Sequence, residues 1–315
     1  MSKVLVTGGT GFIGSAIVKR LHSRGHFVKV LDNNFRGNPQ NLLEIIGQID
    51  LIEGDIRKFS DVEYACRDVD IVIHAAYING TKHFYTKPYE ILEIANKGIQ
   101  NLLDSRKLHP FGKLILLSSS EVYGDAALIP TPETIPLMVS NVLNPRFSYG
   151  GGKIFSELLA INYQKEQDIS LKIIRPHNIY GPNMGSLHVI PEFINKILEL
   201  ADTKPNTKPR LKIQGSGEET RSFCYIDDFI DGFIRVMETD NNEIIYNIGT
   251  TDEISIHNLA VLIAKIVGID LGFSPEVEVD GSPKRRCPDI TKIEALGFKP
   301  KVSLEDGIKR ILALK

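Results

Sequence analysis

Over residues 1–175, short aliphatic and β-branched runs alternate with longer stretches whose apolar positions recur every three or four residues. The runs are KVLVT, FVKVL, IDLIE, DIVIH, KLILLS and LKIIR. They are apolar almost throughout, the pattern of parallel strands covered on both faces. Between them, Phe12–Arg24, Pro88–Leu108 and Tyr149–Gln167 carry the helical period and the length that right-handed crossovers require. This rhythm predicts an α/β fold, a doubly wound parallel sheet over residues 1–175. Beyond Arg175 it loosens into polar, turn-rich pieces such as ADTKPNTKPR and IQGSGEETR, with helices near Pro191–Leu200 and Asp227–Glu238. Residues 176–315 therefore read as a smaller α/β lobe over the carboxyl edge of the sheet, where doubly wound folds place ligands. The segment IIYNIG is expected to return to the large sheet.

Composition narrows the partners. The chain of 315 residues is 42% hydrophobic and 24% charged, with a net charge of −2. It shows no extended basic run, so neither nucleic acid nor a membrane surface is an expected partner. Apolar runs such as LILL are too short to span a bilayer, and a strand begins at the amino terminus, so a cytoplasmic protein is expected. Cys66, Cys224 and Cys287 stand far apart and suggest neither a metal site nor a disulfide framework.

VLVTGGTGFIGSAIVKRL puts Gly8, Gly11 and Gly14 between the first strand and its helix. Glycines there allow a tight turn and close approach of backbone amides to a pyrophosphate at the helix N-terminus. The flanking strand and amphipathic helix raise this signature of a Rossmann domain above an ordinary glycine-rich turn. In VLDNN, Asp32 ends the second strand, where it can accept hydrogen bonds from both adenosine ribose hydroxyls and repel a 2′-phosphate. NAD is thus expected in preference to NADP, with Arg36 read as a solvated surface arginine. Asp55, in EGDIRK, either meets the adenine edge or is a turn aspartate.

Tyr149 and Lys153, in YGGGK, stand four residues apart and project from one helix face. A phenol has an ordinary pKa of about 10, and a neighbouring ammonium favours its ionised form. Upstream, SSSEVYG supplies hydroxyls at a strand's end. The set describes an enzyme that removes a proton from an alcohol.

Taken with HAAY, ANKGIQNLL, RPHNIYGP, ETRSFCYIDD and RRCPDITK, these motifs resemble the extended short-chain dehydrogenase/reductases, in particular the NAD-dependent nucleotide-sugar epimerases and dehydratases. The resemblance runs almost end to end. It implies that Tyr149 is the base, Lys153 its activator and contact to the nicotinamide ribose, and Ser119 the hydroxyl that holds the reacting oxygen. It implies NAD on Gly8, Gly11, Phe12, Ile13 and Gly14, on Asp32 and Asn33, on Asp55 and Ile56, and on Ala75 and Ala76. Asn96 falls in the family's asparagine motif behind the active site. Asn178, Arg221 and Arg286 resemble a clamp for a nucleotide diphosphate, since guanidiniums donate in a planar fork and stay charged. Val189, in GSLHVIPEF, would meet the nucleotide base; His83 and His188 are loop candidates for substrate contact. The family also implies a homodimer that pairs Pro88–Leu108 and Tyr149–Gln167 as a four-helix bundle.

Ser120 and Glu121 bear on the reaction. Simple 4-epimerases carry small residues there, and many 4,6-dehydratases carry Asp-Glu. Ser-Glu resembles GDP-mannose-type 4,6-dehydratases and UDP-glucuronate decarboxylases, although HAAYINGTKHFYTKP lacks the decarboxylases' proline-serine character. The expectation is NAD-dependent oxidation at C4 of a nucleotide-activated hexose or heptose, as a 4-dehydrogenase or an epimerase. Dehydration or decarboxylation through Glu121 stays open, as does a role for Glu121 in holding a hydroxyl or capping a turn. A non-catalytic dinucleotide-binding regulator is a further alternative, opposed by the presence of Ser119, Tyr149 and Lys153 together. No metal is expected.

Overall fold

Each apolar run becomes a strand, and each amphipathic stretch a covering helix, in the computed structural model, which describes residues 1–202, 208–276, 281 and 283–315. Of the polar stretch ADTKPNTKPR, residues 203–207 lie outside the described residues. In chain order come β1 (Lys3–Thr7), α1 (Phe12–Ser23), β2 (Phe27–Asp32), β3 (Asp50–Glu53), α2 (Phe59–Cys66) and β4 (Ile71–His74). A short helix α3 (Thr81–Thr86) leads to α4 (Pro88–Leu108), β5 (Lys113–Leu117), α5 (Phe147–Glu166) and β6 (Ser170–Pro176). The next segments are β7 (Ile179–Tyr180), α6 (Val189–Asp202), β8 (Arg210–Gln214), β9 (Thr220–Ser222), β10 (Cys224–Tyr225), α7 (Ile226–Glu238) and β11 (Ile245–Ile248). Last are β12 (Glu253–Ser255), α8 (Ile256–Val267), β13 (Gly272–Glu276), β14 (Arg285–Arg286), α9 (Thr291–Glu294) and α10 (Leu304–Leu312).

The main sheet has seven strands in the order β3-β2-β1-β4-β5-β6-β11. Every neighbouring pair is parallel. Strand β11, from the segment IIYNIG, docks on β6 with Ile245 opposite Ile173. Val4, Leu5 and Val6 are fully buried, as a strand covered on both faces demands. The strand order reverses between β1 and β4, and the crevice at their carboxyl ends is the place where such sheets bind ligands.

Helix α4 shows why these boundaries were readable. Pro88 occupies its first turn, Glu90 complements the amino end, and Arg106 and Lys107 lie in the last turn. Its inward positions are Ile91, Ile94, Ala95, Gly98, Ile99 and Leu102, a three-and-four spacing. Full burial of an aliphatic side chain of this kind contributes about 1.5–3 kcal/mol. Helix α5 packs against α4 and begins at Phe147, two residues before the expected Tyr149. Small two- and three-stranded sheets, β10-β7, β12-β9-β14 and β13-β8, follow, and Arg221, Arg285 and Arg286 lie on β9 and β14.

Candidate active site

A cleft of about 1090 Å³ runs along the carboxyl ends of β1, β2, β4 and β5 and under the loop before α6. Cavities for one small ligand span about 300–1,000 Å³, so this cleft suits an extended ligand or two. Among its walls are Gly8, Gly11, Phe12, Ile13, Gly14, Asp32, Asn33, Asp55, Ile56, Ala75 and Ala76.

This side of the cleft is made largely of backbone. Gly8 has φ +73, and a Cβ on Gly14 would fall 2.0 Å from the Gly8 carbonyl oxygen. Gly11 caps α1 without any side-chain hydrogen bond, so the first-turn amides keep their capacity for an anion. Thr7 Oγ1 meets His74 Nδ1 at 2.8 Å and accepts from the Ala76 amide at 3.2 Å, tying the ends of β1 and β4 together. Burial pushes the His74 imidazole down to about 3, which keeps it neutral. Asp32 is 8% exposed. Its two oxygens accept from the amides of Thr10, at 3.0 Å, and Asn34, at 2.9 Å. Each oxygen can accept one further hydrogen bond, and Asp32 lines the cleft. Asp55 is more committed. Arg57 Nε and Nη2 donate to it at 3.0 and 2.5 Å, and Asn33 Nδ2 at 3.2 Å. The Arg57 fork holds its carboxyl down at about 2.

Across the cleft, Ser118 follows the end of β5, and Ser119 caps a short 3-10 turn over Ser120–Tyr123. The Ser119 hydroxyl acts on the Tyr149 phenol to favour its ionised form. Tyr149 and Lys153 both face inward from α5, at 5% and 3% exposure. Lys153 Nζ donates to the Leu117 carbonyl at 2.7 Å and lies 5.9 Å from the centre of the Tyr149 ring. Burial lowers the lysine to about 7, against the pull of Glu157. Tyr149 departs from the sequence expectation of a phenol drawn down by the ammonium. Burial raises it well above its ordinary value, and the Ser119 hydroxyl offsets only part of that.

Glu121 faces guanidiniums. Arg286 Nη1 donates to its Oε1 at 2.5 Å, and Arg146 Nη2 lies 3.6 Å from its Oε2. Burial alone would raise Glu121, but Arg286, Arg146 and Arg221 together hold it at about 2. Glu121 is thus a carboxylate at any working pH. Arg286 and Arg221 reach the site on the paired strands β14 and β9. Burial, then Arg286, lowers Arg221 to about 10, and its Nη1 donates to the Thr220 carbonyl at 2.8 Å. Asn178, at φ +43, donates to the Ser222 carbonyl at 3.0 Å, joining the β7 loop to β9. Val189 opens α6 on the cleft wall.

A buried polar network braces this side from behind. Arg175 donates to Glu157 of α5 at 3.0 and 2.6 Å and to the Tyr123 hydroxyl at 2.8 Å. Tyr123 in turn donates to Asn247 of β11 at 2.8 Å. The serine turn and the tyrosine helix are therefore fixed to the same strands. His177 completes the network through Asn247, at 3.1 Å, and burial pushes it down to about 3.

Asn96 does not reach the cleft. Helical spacing turns Ala95 and Ile99 inward and leaves Asn96 exposed on α4. The expectation that it stands behind the active site is corrected: Ala95 holds the inward position. Arg146 and Tyr77 line the cleft and were missed. Arg146 directly precedes α5 and is buried, a departure from the usual exposure of arginine that only tertiary packing reveals. Among the described residues no His, Cys, Asp or Glu cluster suits a metal ion, and no helix is long and apolar enough to cross a membrane.

A dinucleotide cradle facing a Ser-Tyr-Lys set across a doubly wound sheet defines an NAD-dependent oxidoreductase of the short-chain type. The chain belongs to the NAD dependent epimerase/dehydratase family, whose model matches residues 4–249. It is 33% identical to UDP-glucuronic acid decarboxylase 1 of Xenopus tropicalis, over 98% of this chain and 71% of that protein. It is 33% identical to UDP-glucuronic acid decarboxylase 5 of Arabidopsis thaliana, over 97% of this chain and 87% of the other. Among solved structures it superimposes on UDP-glucose 4-epimerase from Thermotoga maritima, crystallised with UDP-glucose, with a TM-score of 0.87 and 28% identity. That match covers 99% of this chain and 97% of the epimerase. The dTDP-glucose 4,6-dehydratase of Streptomyces venezuelae, solved with NAD bound, gives a TM-score of 0.88 at 28% identity, covering 99% and 96%. The protein is an enzyme of NAD-dependent nucleotide-sugar modification.

Proposed function

We propose that this enzyme oxidises C4 of a nucleotide-diphosphate sugar and processes the 4-keto sugar in the same cleft. The placement of Tyr149, Ser119 and Lys153 opposite Glu121 and Arg286 carries the reading. NAD supplies the hydride acceptor, held in preference to NADP by Asp32. Ser119 donates to the sugar O4, and Tyr149, in its ionised form, takes the O4 proton. General-base catalysis of this kind contributes about 10²–10⁴-fold. Arg221, Arg286 and Asn178 hold the diphosphate, and Val189 borders the nucleotide base. The second lobe, residues 176–315, thereby positions the substrate.

Glu121, Arg286 and the decarboxylase relatives favour a second reading, in which the sugar is a hexuronic acid. A ketone at C4 lies β to the C6 carboxylate. The C5–C6 bond then breaks, its electron pair enters the C4 enolate, carbon dioxide leaves, and C5 takes a proton. Held as a carboxylate, Glu121 acts here as an orienting group or a base, not as the acid.

The test is a panel of nucleotide sugars, including a hexuronic acid, followed by absorbance of the reduced cofactor and by product mass. A net loss of two hydrogens identifies release of the ketone, and unchanged mass identifies epimerisation. Loss of carbon dioxide or of water identifies the other two outcomes. No reduced cofactor and no product with any member contradicts the proposal. The outward faces of α4 and α5 expose Tyr89, Leu92, Phe155 and Leu158, which supports a homodimer through these helices. A monomeric mass by light scattering at micromolar concentration would contradict that assembly.

A further inference from the structure

Tyr77 follows β4 and turns into the interior between α4 and α5. Its ring face carries Lys153 Nζ 3.8 Å from the centroid. The Tyr149 ring meets it edge-on, with centroids 5.1 Å apart and planes at 87°. At the far end of the ring the hydroxyl presses on α5, where a Cβ on Gly152 would fall 2.3 Å from the Tyr77 oxygen and 2.9 Å from the Ala95 methyl. Small residues at 95 and 152 thus make room for a phenol. That phenol's oxygen is buried and has no hydrogen-bond partner among the described residues. A buried unsatisfied hydroxyl costs stability, so the arrangement places the useful contact on the ring rather than on the oxygen.

We propose that Tyr77 is a positioning residue whose ring face holds the Lys153 ammonium in place beside Tyr149. The inference rests on the functional reading above for its consequence, but not for its physics. Around the ammonium stand the Leu117 carbonyl on β5, the Tyr77 and Tyr149 rings, neutral His74 on β4, and Glu157 one helical turn further along α5. Glu157 is forked to Arg175. Among the described residues no carboxylate is bonded to it, and the buried ammonium is held by one carbonyl and, at closest range, the Tyr77 face. Such a face favours the charged lysine, most strongly where water is excluded.

The direct test replaces Tyr77 with phenylalanine and then with phenylalanines of increasing fluorination, which drain the ring face at nearly constant shape. The Lys153 titration is read by NMR of ε-¹³C-lysine in cofactor-free protein, with the resonance assigned by its loss in Lys153→Arg. Tyr77→Phe should leave the lysine pKa unchanged and the melting temperature equal or higher. Each step of fluorination should lower the lysine pKa, by about one unit in total, a roughly tenfold change in its protonation equilibrium. Tyr77→Leu should lower it similarly and draw the basic limb of the pH–rate profile downward, with KM for the nucleotide sugar unchanged. An invariant pKa across the fluorinated series overturns the proposal. So does a Tyr77→Phe variant that shifts the lysine as far as full fluorination. Because the NMR readout needs no substrate, a failure of the functional reading leaves this test standing.

Discussion

The two walls of the cleft are built from different materials. On the cofactor side, glycine turns, a helix amino end and backbone amides do the shaping, and Asp32 has its oxygens fixed by the amides of Thr10 and Asn34. On the substrate side the surfaces are charged side chains brought from distant parts of the chain, with Glu121 and Arg286 bonded across 165 positions. Backbone is already positioned when the fold forms, so the cofactor wall changes little on binding. The substrate wall must exchange partners: an arginine that pairs with Glu121 is one that a diphosphate must share or win. That difference teaches where specificity can vary. On the proposed reading, the cofactor wall fixes the class of chemistry, and the arginine–glutamate side selects the sugar and the fate of its ketone.

The largest effect should come from Tyr149→Phe, which removes the proton acceptor. Turnover should fall by 10²–10⁴-fold or more, while calorimetry finds nucleotide-sugar affinity retained because the diphosphate is held elsewhere. A parallel loss of affinity would mean that the two walls are not separable. Gly14→Ala attacks the other wall. The added methyl would sit 2.0 Å from the Gly8 carbonyl oxygen, so dinucleotide affinity should be lost while a uridine diphosphate ligand still binds. Intact NAD affinity in that variant would show that the backbone cradle is not what holds the pyrophosphate.

How much of this was legible follows from distance along the chain. The β1–α1 turn, the Tyr149–Lys153 pair and the limits of α4 are local, and each is written in consecutive residues with known caps and spacing. Asn96 shows the limit of motif reading, since one residue of helical phase separates an inward position from an exposed one. Glu121 was visible as an unusual residue, yet its partner Arg286 was read only as a diphosphate ligand. Tyr77 and Arg146 left no signal, because their roles depend on packing between α4, α5 and the later strands. The apolar segment of β11 suggested a return to the sheet, but not its register.

Smaller effects sharpen the comparison. Arg286→Leu removes a charge-assisted bond worth about 1.5–3 kcal/mol, so diphosphate affinity should fall roughly ten- to a hundredfold in titration calorimetry. The same pair predicts a pH dependence. Glu121 is held below the ordinary carboxylate value of about 4.3, so its stabilisation is present above about pH 4 and lost as pH falls through about 2. Acid unfolding of Glu121→Gln should lack that component, and an unchanged acid limb would show that the ion pair contributes nothing to the fold. The mildest change is Asp32→Asn, which removes the charge and turns one accepting oxygen into a donor. NADP should gain on NAD by several-fold in competition binding.

The central claim is that the cleft oxidises C4, and deuterium at that carbon tests it most directly. A nucleotide sugar that proves to be a substrate is prepared with deuterium at C4 and followed through a single turnover. The account predicts a slowed first step and deuterium on the reduced cofactor, with both signals abolished by Tyr149→Phe. Deuterium that stays on the sugar while the cofactor is reduced would place the oxidation at another carbon and contradict the account.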